Sequence, residues 1–156
     1  MSTPIVKPKF LATKWNYRAS FQGLGISYFE SMTAIKGKVE MTPFHVGGEM
    51  DVALWVPGKR MWDAVTLTAG VSENDELYKW WQQVGDLQGK GLEIDQLERK
   101  LTVELFKRDK TSVLRTYELI GCVPEENSML DGLDSKELGG YAVEAITVKI
   151  RSVQRL

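Results

Sequence analysis

The chain has 156 residues and a formal net charge of −1, from 20 Lys and Arg against 21 Asp and Glu, so no global field recruits nucleic acid or an anionic membrane. With 43% hydrophobic and 26% charged residues it is too apolar for a disordered segment, and no apolar run reaches the ~18 residues of a membrane helix. One domain over 1–156 is expected, made in the cytoplasm, since MSTPIVKPKF lacks the apolar stretch of a signal peptide. Cys122 is the only cysteine and His45 the only histidine. That excludes an intramolecular disulfide and a multi-cysteine metal site. Cys122, in an apolar run, reads as a small buried hydrophobe.

In chain order, residues 1–13 hold two prolines with scattered charges and read as an N-terminal arm without core contacts of its own. In WNYRASF, Trp15, Tyr17, Ala19 and Phe21 share one face and Asn16, Arg18 and Ser20 the other, the period of a half-buried strand. Gly23 and Gly25 punctuate it. Residues 26–45 read as one long β region, with Ile35, Val39 and Met41 alternating against Lys36, Lys38, Glu40 and Thr42. Gly37 marks a bulge or bend there, and Pro43 an edge or strand end.

Residues 46–60 form an apolar flap between two turn signals, Gly47-Gly48 and Pro57-Gly58. Two readings stand: a hairpin packing on its own domain, or a surface reserved for another subunit, with Gly47, Gly48, Val52, Leu54, Trp55 and Val56 as the contact residues. A strand through Thr66, Leu67 and Thr68 follows and Gly70 ends it. Ser72 stands as helix N-cap with Asp75 three residues on, and Glu73, Asp75 and Glu76 place negative charge on the first turn. The helix over 73–84 is expected to bury Leu77, Trp81 and Val84, flanked by Tyr78 and Trp80, with Gly85 at C′.

Residues 86–96 read as a flexible link. A strand over 97–108, disturbed at Phe106, and another over 112–122 form an antiparallel hairpin around the polar turn at Asp109. Residues 124–140 read as an acidic surface loop without the spacing of a calcium-binding hand. The closing strand over 141–155 sets Ile146, Val148 and Ile150 against Thr147, Lys149 and Arg151.

No phosphate loop, dinucleotide fingerprint, nucleophile elbow or zinc-protease motif occurs. Neither Cys122 nor His45 has a catalytic partner in sequence, and Glu125-Glu126 reads as solvated acids. Trp55, Trp62, Trp80 and Trp81 could stack nucleic acid, but no basic stripe accompanies them. No catalytic, cofactor-binding or metal residues are expected. Long two-faced strands with an apolar flap suit a chain that pairs with other chains. A monomeric barrel holding a ligand between Trp62 and Trp81 is another reading.

The order of motifs resembles the tail-tube proteins of contractile phages and of extracellular contractile injection systems. The likeness runs from about Tyr17 to Val153. It is carried by Phe21-Gln22-Gly23-Leu24, the Gly-Gly element ending at Gly48, Pro57-Gly58-Lys59, Val65 to Gly70, Trp80-Trp81, the hairpin at 101–109, Gly121 to Pro124, Leu133-Asp134 and Val143 to Val148. The sequence departs from the family at Ala69, where a basic residue is common, and after Arg151, where a His-Glu-Gly-Leu-like tail is absent.

The resemblance implies a mainly β fold, a small antiparallel barrel or sandwich with one flanking helix. It also implies hexameric rings that stack into a rigid hollow tube. The expected partners are other copies, a sheath, baseplate or tip proteins, a terminator, and cargo or DNA passing through. Lys36, Lys38, Glu40, Thr147, Lys149 and Arg151 are then candidates for a lumen or inter-subunit face, and Glu73, Asp75 and Glu76 for a sheath-facing one. A type VI secretion-like ring protein or a baseplate-proximal tube initiator is the alternative.

Overall fold

The computed structural model describes residues 16–24, 29–45, 47, 53–71, 75–86, 93–109, 111–130, 132–136 and 142–156. The N-terminal arm, Trp15, Gly25, Gly48, Val52, Ser72 and Glu73 lie outside them. The elements run β1 (Tyr17–Phe21), β2 (Ser31–Met32), β3 (Gly37–His45), β4 (Ala53–Trp62), β5 (Val65–Gly70), α1 (Glu76–Gly85), α2 (Ile94–Leu97), β6 (Arg99–Phe106), β7 (Val113–Ser128), β8 (Val143–Lys149) and β9 (Ser152–Arg155). All strand pairs are antiparallel.

Seven strands form one sheet in the order β1-β6-β7-β8-β5-β2, with β9 beside β7, while β3 and β4 pair only with each other. The long β7 holds the sheet together: its first half pairs with β6 and β9, its second with β8. The chain turns this corner at Gly121, whose φ of +71° is a left-handed value that a side chain would strain. Arg151 crosses the same point, donating its backbone N–H to the Ile120 carbonyl (3.1 Å). A Cβ on Gly121 would lie 2.8 Å from that of Arg151. The bend folds the sheet around one core, including Phe21, Leu67, Leu101, Leu119, Ile146 and Val148. The sheet is not closed: no ladder joins β1 to β2 among the described residues. The fold is therefore an open, curved antiparallel sheet instead of a complete barrel.

Several boundaries differ from the sequence reading. The region at 26–45 divides into β2 and β3. Pro57-Gly58 is not a turn but a bulge inside β4, where Gly58 and Lys59 oppose the single residue Glu40 between the pairs Val39↔Arg60 and Met41↔Pro57. The loop expected from 124 begins only after Ser128. Pro124 stands beside a register shift in the β7–β8 pairing, between Pro124 and Glu126, the kind of bulge at which a strand tolerates proline; next to it the Trp81 indole N–H donates to the Glu125 carbonyl (3.4 Å). The closing strand breaks at Ile150-Arg151 into β8 and β9. The disturbance expected at Phe106 is a register shift between Leu105 and Phe106.

Helix α1 starts at Glu76, not residue 73, with Asp75 at the N-cap position and no side-chain capping bond. The Asp75 carboxylate instead meets Lys79 one turn on, at 3.4 Å. Gly85 is the last helical residue, and the Asp86 N–H closes the helix on the Gln82 and Val84 carbonyls. Its buried residues are Leu77 and Trp80, with Trp81 and Val84 half-buried. The cause lies in the supposed link at 86–96: α2 ends at the buried Leu97, whose carbonyl accepts the Trp80 indole N–H at 2.7 Å. That bond and the edge contact with Phe21 (ring centroids 5.0 Å) turn the helix toward Trp80 and away from Trp81.

Candidate assembly surfaces

The β3–β4 ribbon is the feature the core does not explain. Every residue of β3 is exposed. Directly paired residues in an antiparallel ribbon project to the same side, so the register assigns its faces. Val39, Met41 and Trp55 lie on one side, and Phe44, Leu54 and Val56 on the other. Trp55 is 64% exposed and Phe44 58%. Removing one such side chain from water is worth about 1.5–3 kcal/mol, and more than half of that surface is left uncovered within the chain. Lone monomers seldom carry a contiguous apolar surface of this kind. His45 sits at the end of the ribbon opposite Ala53. At the root, Gly37 lies under the Trp62 ring, where a Cβ would come within 2.7 Å, and the Asp63 N–H bonds the Lys36 carbonyl at 3.0 Å.

Of the proposed flap contacts, Gly47, Leu54, Trp55 and Val56 are described, and all are exposed. The polar candidates fall into separate groups. Lys36 precedes the ribbon, and Lys38 and Glu40 lie on it. Thr147 and Lys149 lie on β8, and Arg151 at the corner. No hydrogen bond or ion pair joins the two groups among the described residues. The Thr147 hydroxyl shares a 2.8 Å hydrogen bond with Thr66. Lys149 approaches Glu125 at 3.8 Å and Arg151 approaches Glu98 at 3.3 Å, so both cations are engaged by their own chain. Asp75 and Glu76 open α1, and Lys79 offsets part of that acidity.

Nucleophilic chemistry has little footing here. Burial pushes the Cys122 thiol up to about 12, with the Glu98 carboxylate adding to it and a backbone bond from Leu101 opposing. Its S–H donates to the Leu119 carbonyl. No group of three or more metal-ligating side chains occurs among the described residues. A groove of about 250 Å³ between β1, β2 and β6 is lined by Tyr17, Glu30, Ser31, Met32, Val103 and Leu105, so it lies away from Trp62 and Trp81. Tyr17 donates its hydroxyl to the Phe29 carbonyl (2.8 Å), and burial, then the nearby Glu30 charge, raises its pKa.

The curved sheet thus carries its own core and leaves the apolar ribbon unburied. Residues 13–154 match the sequence model of the T4-like virus tail tube protein gp19 family, and the chain belongs to that family. It is a structural tube protein, a subunit of a tail-type tube. Solved structures share the fold. The anti-feeding prophage cap (AFP tube terminating cap) gives a TM-score of 0.77 at 16% identity, covering 98% of this chain and 95% of that one. The sheath-tube complex of the extracellular contractile injection system PVC, in the extended state, gives 0.75 at 18%, covering 95% and 93%. The sheath/tube terminator of the same system gives 0.72 at 18%, covering 99% of both chains. No curated protein sequence matches this chain at a significant level.

Proposed function

We propose that the protein forms hexameric rings that stack into the rigid inner conduit of a contractile tail or injection particle. The observation that carries this reading is the β3–β4 ribbon, which holds its strand pairing without burying either face. The open sheet edges at β1 and β2 are available for strands of adjacent copies, and closed rings follow where the subunit rotation closes. Lys36, Lys38 and Glu40, with Thr147, Lys149 and Arg151, supply mixed-charge faces for the lumen or the joints between subunits. The acidic N-terminal end of α1, Asp75 and Glu76, faces a surrounding sheath. Baseplate and terminator proteins bound the tube, cargo or DNA passes through it, and the particle assembles in the bacterial cytoplasm before any release. The protein's work is mechanical: it supplies stiffness and a channel while the sheath contracts.

Electron microscopy of the purified protein tests the reading, with six-fold rings or tubes expected. Trp55→Asp places an unpaired charge on the ribbon. It is expected to abolish rings while the thermal midpoint of the monomer stays within a degree or two of the parent (~0.5 kcal/mol or less). A monomer at high concentration, with no assembly on a baseplate or sheath, would overturn the proposal. Equal loss of folding and assembly in Trp55→Asp would make Trp55 ordinary core.

A further inference from the structure

Outside the ribbon, large exposed apolar side chains cluster in sequence at one other place among the described residues. Directly after β7, Met129, Leu130 and Leu133 are 57%, 51% and 72% exposed. Val71, Val113 and Leu156, the remaining ones, stand singly in the sequence. The charges around the two surfaces are opposite. The ribbon strands carry Lys38, Lys59 and Arg60 against Glu40. Lys59 and Arg60 have no ion pair among the described residues, and Lys38 has only a 4.0 Å approach to Asp63. Between Glu125 and Asp134 the sequence carries acids and no basic residue. Glu126 and Asp134 are exposed and have no cationic side-chain partner among the described residues.

We propose that the ribbon of one copy docks on the Met129, Leu130 and Leu133 surface of a second copy. The apolar distal half covers those side chains, and Lys59 and Arg60 at the bulge meet Glu126 and Asp134. This rests on the tube reading and names the surface that receives the ribbon. Apolar burial supplies the affinity, and the charges set register and reject other surfaces. The two patches differ, so the contact is head-to-tail and each copy presents one free donor and one free acceptor. A contact of that type propagates.

A charge exchange tests the proposal. The pair Lys59→Glu with Arg60→Glu, and separately Glu126→Lys with Asp134→Lys, are each expected to raise the critical concentration for sedimentable assembly about tenfold, a change of about 1.4 kcal/mol per subunit added. Circular dichroism and thermal midpoint should be unchanged. The four substitutions together are expected to restore assembly. As a second measurement, Phe44→Cys protein mixed with Leu130→Cys protein and oxidised is expected to give a disulfide between the two positions, because the buried Cys122 does not compete. A combined variant no better than either pair, or acidic-surface variants that assemble like the parent, would overturn the docking. So would assembly of the mixed Phe44→Cys and Leu130→Cys proteins to the parent's level without the 44–130 linkage. If the wild-type protein itself forms no rings or tubes, the tube reading fails and the docking falls with it.

Discussion

Gly121 and Cys122 sit side by side at the corner of β7 and respond to different perturbations. Gly121→Ala must place a Cβ at a φ of +71° and 2.8 Å from that of Arg151. A left-handed residue costs about 1–2 kcal/mol and overpacking adds about as much. A loss of about 2 kcal/mol or more is expected in urea denaturation. For Cys122, burial raises the thiol from 9.0 to about 12. Raised in the folded state, such a group contributes stability that is fully present below its unfolded value and is lost as pH rises toward the folded one. Its contribution should fall by about 1.4 kcal/mol per unit above pH ~9. Cys122→Ala is expected to remove that component, seen as a shallower decline of stability between pH 9 and 11. Tyr17, whose pKa burial also raises, leaves a smaller alkaline decline in both proteins. Asp109 acts at the other end of the scale. The Ser112 and Thr111 N–H groups and the Ser112 hydroxyl bond its carboxylate and lower its pKa, so its contribution is present above the usual aspartate value and lost as pH falls.

Among the elements, α1 depends most on a contact that sequence periodicity does not show. Trp80→Ala removes a ring that is 1% exposed, its edge contact with Phe21 and the 2.7 Å bond to the Leu97 carbonyl. A loss of about 3–5 kcal/mol is expected. Trp80→Phe keeps most of the ring but orphans the carbonyl, and about 1–3 kcal/mol should be lost. Trp81→Phe, at a half-buried position, should cost less than either in the same denaturation series. The sequence reading favoured Trp81 because Leu77, Trp81 and Val84 repeat with a helical period. Helical spacing names a stripe, but the packing partner selects within it, and that partner ends a four-residue helix hidden in a glycine-rich stretch. Strand alternation was more legible. The inward residues Leu101 and Val103 of β6 and Ile146 and Val148 of β8 were readable because in each strand buried positions alternate with more accessible ones. The length of β7 was not, since Gly121 and Pro124, two strand-breaking residue types, lie inside it. Gly121 is required by its left-handed φ and the close approach of Arg151, and Pro124 lies beside a register shift in the pairing with β8.

At the scale of the whole molecule, the proposed role of the ribbon separates what folding needs from what assembly needs. From sequence, its apolar alternation read equally well as core or as contact surface. The pairing of β3 with β4 alone, outside the main sheet, with every residue of β3 exposed, leaves the ribbon out of the core and supports the proposed contact surface. The same pairing supplies a clean dissection. Lys38 and Met61 are directly opposite in the register, so residues 39–60 can be replaced by Asn-Gly, a two-residue hairpin turn suited to the strand twist. Gly37 under the Trp62 ring and the Lys36–Asp63 bond stay in place. Shortening the connection changes its closure entropy by only about 1–2 kcal/mol, in the stabilising direction, and the core loses none of its fully buried side chains. The shortened protein is therefore expected to unfold cooperatively with a thermal midpoint at or above that of the parent. It should remain monomeric at concentrations where the parent forms rings, as judged by sedimentation velocity. In mixtures with the parent it should cap growing ends, because its intact Met129, Leu130 and Leu133 surface accepts a ribbon and it offers none to the next copy, so that electron micrographs show shorter tubes at unchanged diameter. A shortened protein that unfolds at a much lower temperature would assign the ribbon to the fold, and one that still forms rings of its own would restrict the ribbon to stacking.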